Sequence, residues 1–164
     1  MPFFQNRKLI LVALLTILIL LTQTIKSSFA QNNFIDRNNY NKNLKINRQN
    51  QTKNNQIATL KVAIADDDNK RTTGLMHINK LNKGNGMLFI YNKPQTINIW
   101  MKNTKIPLDI IFIDQNWRIN KIHHNATPYS LDIISSPQQT IAALEINAGE
   151  LPLQINDQII YETF

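Results

Sequence analysis

Two hydrophobic patterns divide the chain. Leu9 to Leu21 is apolar except for Thr16, and it has no strand or helix periodicity. From Ile57 onward, short apolar runs alternate with Gly, Pro, Asn and Asp, which marks strands punctuated by turns. Ala58, Leu60, Val62 and Ile64 fall on one face of a half-buried strand that ends at Ala65. Asp66-Asp67-Asp68 then supplies helix-capping carboxylates, and the pattern predicts a helix over about Asn69 to Ile78, with Gly74 inside it. Asn82 to Gly86 is a turn, Met87 to Tyr91 a short buried strand, and Pro94 a break. Gln95 to Met101 is predicted as a strand with Ile97, Ile99 and Met101 on one face and Asn98, Trp100 and Lys102 on the other. Leu108 to Asp114 is apolar on both faces, as a central strand should be, and it turns at Asp114 to Trp117 into Arg118 to Asn125. Thr127 to Gln139 is a loop. Thr140 to Ile146 is a strand carrying Glu145, and Gln158 to Glu162 is the last strand. The expected fold is β-rich α+β: a small barrel-like or rolled antiparallel or mixed sheet with about one short helix.

Outside the strands the pattern predicts two further segments. Arg7 and Lys8 precede the apolar run, and Ser28 and Ala30 follow it, which reads as a signal peptide over residues 1–30 cut after Ala30. The alternative is an uncleaved anchor, the only route to a membrane expected here, although the run is short of the ~20 apolar residues needed to span a bilayer. Residues 31–56 are rich in Asn and Gln with scattered apolar positions, and are expected to form a disordered linker. That leaves one β-rich domain over residues 57–164, exported to the periplasm or the exterior.

The chain carries no cysteine, so disulfides and thiol chemistry are excluded. Its formal charge is +7, and from Ile57 onward lysines and arginines are matched one for one by acids. The surplus therefore lies before the expected domain, and no nucleic-acid partner is predicted.

The candidate chemistry gathers between Trp100 and Asp109. Trp100, Met101, Lys102, Asn103, Thr104 and Asp109, with Glu145, form the candidate binding set. Asp109 shares the parity of Ile111 and Ile113, so its carboxylate is expected at the mouth of a buried face and in need of partners. Lys102 or Lys105 could pair with it, or it could accept backbone N–H groups of the Asn103 to Pro107 turn. Trp100 is expected in the core, with an exposed stacking platform as the alternative. The three methionines Met76, Met87 and Met101 read as core. His123 and His124 face opposite sides of a strand, and with no HxxxH pattern neither metal nor cofactor is predicted.

Gly74-Leu75-Met76, Gly86-Met87-Leu88-Phe89, Trp100-Met101-Lys102-Asn103-Thr104, Ile106-Pro107-Leu108-Asp109, and Leu144-Glu145 with Gly149 occur together in this order. In these blocks the stretch from about Ile57 to Tyr161 resembles the bacterial and archaeal family known as domain of unknown function 192. The resemblance implies a compact barrel-like β fold, often exported, and no established activity. Family members often carry Arg just after Gly-Leu-Met, where this chain has Ile78 following His77, and a Gly-Asp where it has Asn156-Asp157. Arg71 matches a basic or Gln position before Gly-Leu-Met.

The preferred reading is a non-enzymatic module of the cell envelope that binds a small polar ligand or an envelope protein. The enzyme reading is a hydrolase or lyase with Asp109 as acid or base and Lys102 and Asn103 steadying charge. It requires Lys102, Asn103 and Asp109 to line one concave pocket with Glu145 or His124. A third reading makes the whole block a rigid turn that locks the barrel.

Overall fold

A computed structural model describes residues 14–23, 39–50 and 53–161, and the chain divides into two units, Met1–Asp36 and Arg37–Phe164. In the first unit, the described residues 14–23 are helical (α1). Among the described residues no helix is long and apolar enough to cross a membrane. Most of the expected signal peptide, and the first part of the expected linker, lie outside the described residues.

The second unit is a curled half-barrel. Its strands are β1 (Lys42–Asn50), β2 (Lys53–Ala65), β3 (Asn85–Gln95), β4 (Asn98–Ile99), β5 (Leu108–Asp114), β6 (Ile119–Ala126), β7 (Ile134–Ser135), β8 (Thr140–Asn147) and β9 (Gln158–Tyr161), with helix α2 (Asp68–Thr73) between β2 and β3. Seven strands form one sheet in the order β6-β5-β8-β3-β2-β1-β9, while β4 and β7 form a separate pair. The β2–β3 pair is parallel and the others are antiparallel, so the sheet is mixed as expected. The outer strands approach each other at one end, where Arg118 bridges Gln158 and the Ile119 amide donates to the Asp157 carbonyl.

Strand parity sorts the apolar side chains into two cores. Leu44, Ile46, Leu60, Val62, Leu88, Ile111, Ile113, Leu144 and Ile159 fill the inside of the curl. Met87, Phe89, Ile110, Phe112 and Ala143 face the other way and are covered by Leu75, Ile97, Ile99 and Met101. The sheet thus carries a second buried layer on its outer face, and the candidate site lies in that layer. As predicted, β5 is apolar on both sides and sits between two neighbours, β6 and β8.

Over residues 42–50 and 53–56 the structure shows strand where a disordered linker was expected. Lys42–Asn50 and the start of β2 form a long hairpin, and β1 lies between β2 and β9. Leu44 and Ile46 are fully buried there. A strand held on both sides satisfies its backbone through its neighbours, so two inward apolar residues suffice to fix it despite the Asn-rich composition. Lys42, Lys45 and Arg48 consequently belong to the folded unit, which is therefore basic, not neutral.

Two further boundaries move. The helix stops at Thr73 because Gly74 takes φ +44° and donates its N–H to the Lys70 carbonyl, so the glycine ends the helix instead of interrupting it. Its start follows expectation, with the Asp67 carboxylate accepting the Lys70 N–H at 2.8 Å. Pro94 does not break its strand: β3 continues to Gln95, and the proline falls in a gap between the Ile90 and Gln95 pairings with β8, where no N–H is required. The following strand shrinks to Asn98–Ile99, although its predicted parity holds: Ile97, Ile99 and Met101 are buried, while Asn98, Trp100 and Lys102 are exposed.

Candidate functional site

The stretch from Trp100 to Asp109 separates into a turn and an anchor. Asn103 takes a left-handed φ of +55°, which Asn tolerates better than most side chains, and the Thr104 N–H closes the turn on the Met101 carbonyl at 3.0 Å. The Asn103 carbonyl accepts the His77 N–H at 2.9 Å, tying the turn to the segment after α2. Met101 is core. Lys102 lies with its ammonium 4.9 Å from the centre of the Trp100 ring, and Lys105 donates to the Asn79 side chain at 2.7 Å. Neither lysine reaches Asp109.

Asp109 is 2% exposed, with the predicted parity, and its oxygens are occupied. Oδ1 accepts the Asn125 N–H at 2.8 Å, and Oδ2 accepts the Gly149 N–H at 3.0 Å and lies 3.3 Å from His124 Nδ1. Asn125, near the end of β6, and Gly149, in the loop after β8, both sit at positive φ and converge on one carboxylate. The partners come from the end of β6 and from the loop that follows β8, and not from the Asn103 to Pro107 turn. Asp109 is therefore a clasp between the end of β6 and the loop after β8, and Lys102, Asn103 and Asp109 do not share a pocket.

The concave site lies elsewhere. A cleft of about 370 Å³ opens between α2, the outer face of β3 and β8, and the segment around β4. Trp100, Thr104 and Glu145 line it, joined by Arg71, Phe89 and Tyr91. Trp100 is 40% exposed at the edge, so the expectation that it sits in the core gives way to the platform alternative. On β8, Ala142, Leu144 and Ile146 point into the curl, which turns Ala143 and Glu145 outward. The Glu145 position pairs with Met87 on one side and Ile110 on the other.

Glu145 is 5% exposed, and among the described residues no hydrogen bond or ion pair reaches its carboxyl group. Burial without a partner penalises the charged form and pushes its pKa from 4.5 up to about 8. The cations nearby are engaged. Arg71 donates to the Ile90 carbonyl at 2.8 Å and to Asp68 at 2.6 Å, and its guanidinium lies 4.8 Å from the Tyr91 ring centre. Burial also pushes the Tyr91 hydroxyl up. A carboxyl group held neutral at pH 7 in an open cleft can donate or accept a hydrogen bond, or ionise when a cation arrives.

Sequence reasoning named Trp100, Thr104 and Glu145 but missed Phe89 and Tyr91. Their signal was parity: both continue the outward face that begins at Met87. Glu145 was the clearest signal, an acid in an otherwise apolar strand. Among the described residues no cluster of three or more His, Cys, Asp or Glu is placed to hold a metal.

The family model described as "Uncharacterized ACR", domain of unknown function 192, matches residues 49–159. The chain belongs to this family. Two solved structures are similar to it. One, described as a candidate transcription regulator from Sinorhizobium meliloti 1021, is 32% identical, with 73% of this chain and 92% of that one covered at a TM-score of 0.65. The other, a protein of unknown function from Novosphingobium aromaticivorans DSM 12444, is 30% identical, with 72% and 83% covered at a TM-score of 0.65. A comparison with the curated proteins finds no match.

The blocks shared with domain of unknown function 192 now have physical roles. Gly74 ends α2, and a Cβ there would lie 3.1 Å from the Phe89 ring, at the cleft wall. Gly86 passes the β8 backbone so closely that a Cβ would lie 2.9 Å from the Glu145 carbonyl oxygen. Asp109 and Gly149 form the clasp. At the position of the family's Gly-Asp, Asn156 takes φ +72°, a conformation that suits Gly or Asn. Asp157, 2% exposed, accepts Arg48 through both oxygens at 2.8 and 2.7 Å, so the neighbouring acid anchors β1.

Proposed function

We propose that this chain is an exported, non-enzymatic module that binds a small polar ligand in the cleft over Glu145. One observation carries the reading: a buried carboxyl group with no partner among the described residues faces an open cleft walled in part by aromatic rings. A buried carboxyl group costs stability unless it is paired, so its position makes physical sense as one side of a binding contact. Polar groups (Asp68, Arg71, Asn98, Thr104 and Glu145) share the lining with aromatic and aliphatic side chains, a mixed wall that suits a small polar ligand. The hydrolase or lyase reading lacks the geometry it required, because the Asp109 oxygens are taken by Asn125 and Gly149.

Export rests on the order of Arg7 and Lys8, the apolar run and Ala30. Nucleic acid stays outside the reading, although a similar structure is described as a candidate transcription regulator. At the cleft, Asp68 offsets Arg71, and Arg48 on β1 is committed to Asp157. A thermal-shift screen of a broad small-molecule library against the full chain tests the binding reading. Saturable shifts that vanish in Glu145→Gln and need a higher ligand concentration in Trp100→Ala support it; shifts unchanged in both variants contradict it. N-terminal sequencing of the protein recovered outside the cytoplasm tests export, with Gln31 expected as the first residue.

A further inference from the structure

Resting on the reading of the cleft as a binding site, we propose that its ligand is a small organic cation. An ammonium group on a short hydrocarbon body would pair with the Glu145 carboxylate among the rings of Phe89, Tyr91 and Trp100. The cleft holds a carboxyl group and three aromatic walls, and no cation of the chain reaches that carboxyl among the described residues. The Tyr91 and Trp100 rings each already carry a cation, Arg71 at 4.8 Å and Lys102 at 4.9 Å, so their faces are oriented to favour positive charge. Lys102 is exposed and sits on a turn, so a ligand can displace it. Arg71 is held by the Ile90 carbonyl and Asp68 and stays as part of the wall.

The electrostatic surroundings agree. From α2, Asp68 and Arg71 face the cleft as a mutually neutralising pair. From β3, Tyr91 contributes a neutral hydroxyl, and around β4 the lining groups are Asn98, Trp100 and Thr104. On β5 the residue paired with Glu145 is Ile110, while Asp109 points to the opposite face. Glu145 is therefore the one uncompensated acid of the cleft among the described residues. Burial holds Glu145 neutral at pH 7, so a cation must displace its proton, and one proton leaves as one cation enters. Affinity for a cation then rises roughly tenfold per pH unit up to about pH 8 and levels off above it. A neutral ligand that accepts a hydrogen bond from protonated Glu145 shows the opposite slope, losing affinity above that pH.

The test uses the full chain with four probes: choline, butylamine, the uncharged carbon isostere of choline (neohexyl alcohol) and a methyl glycoside. Each is titrated calorimetrically from about pH 6 to about pH 9, in two buffers of different ionisation enthalpy that together report proton release. The expected result is binding of choline or butylamine that strengthens with pH, releases close to one proton at pH 7, and disappears in Glu145→Gln. Trp100→Ala should weaken the same binding on the order of tenfold or less through the lost ring contact. Equal binding of the neutral isostere, tighter binding at low pH, or no binding of either cation overturns the inference. If the glycoside binds in the cleft and the cations do not, the binding module stands and only the ligand class falls. If no small molecule of any class binds, both fall.

Discussion

Replacing Glu145 with Gln isolates the cost of keeping a carboxyl group in the cleft. In the folded chain its pKa is raised to about 8 from 4.5. Between those values the unfolded chain has lost the proton and the folded chain has kept it. Stability therefore falls as pH rises through this window, and is flat below and above it. From about pH 5 to about pH 8 this single group should remove about 3–4 kcal/mol of stability, at ~1.4 kcal/mol per pKa unit. Gln cannot ionise, so Glu145→Gln lacks this loss, and whatever constant the amide adds is independent of pH. The assay is urea unfolding of both proteins at several pH values, taking the difference so that all other titrating groups cancel. The variant should gain the full amount relative to the native chain between pH 5 and pH 8, equivalent to on the order of 10 °C in midpoint temperature. Parallel stability curves, or a variant that loses ground as pH rises, would refute the claim that Glu145 is buried without a partner.

Three further outcomes follow from the fold. Asp109→Asn should destabilise by about 2–4 kcal/mol, since a charged acceptor of the Asn125 and Gly149 N–H groups is lost, while the cleft still binds its probe; loss of probe binding in a folded variant would return Asp109 to the site. Arg48→Ala leaves Asp157 buried with the Gln154 N–H as its remaining partner, and should cost about 2–3 kcal/mol by urea unfolding. Gly86→Ala places a methyl group against the Glu145 backbone carbonyl and should cost about 1–3 kcal/mol, read by the same assay.

The sheet was legible where sequence and burial share a period. Leu108 to Asp114 and the hairpin that follows it fold as their patterns indicate, and β2 turns Leu60, Val62 and Ile64 to one face as its alternation indicates, although Ala63 and Ala65 are buried on the other. Lys42–Asn50 was not legible, because two apolar residues among Asn, Lys and Arg carry no periodic signal. What fixes that strand is distant: β9 alongside it, and Asp157 receiving Arg48. The site divided in a similar way. The parity of Asp109 was readable from its neighbours, but its partners Asn125 and Gly149 lie on β6 and after β8, which flank it only once β5 pairs with both strands. Reactive side chains crowded between Trp100 and Asp109 pointed to one pocket, yet the strand pleat sends them to different places. Trp100 goes to the cleft, Met101 to the core and Asp109 to the clasp. The remaining acid, Glu145, was visible as an interruption of an apolar strand, and what it faces depends on α2 and the segment around β4 folding over β3 and β8.

The most direct test of the cleft uses the chain's two tryptophans. Trp100 sits at the cleft edge, whereas Trp117 stacks on Tyr161 with ring centres 5.8 Å apart, away from the cleft lining. In an amide and indole NMR spectrum of the full chain titrated with choline, the Trp100 indole signal and the backbone signals of Gly74 and Thr104 should move together and saturate. The Trp117 indole and the Asn125 and Gly149 amides should stay still. Movement at Trp117 or at the Asp109 clasp with the cleft signals unchanged would contradict the account.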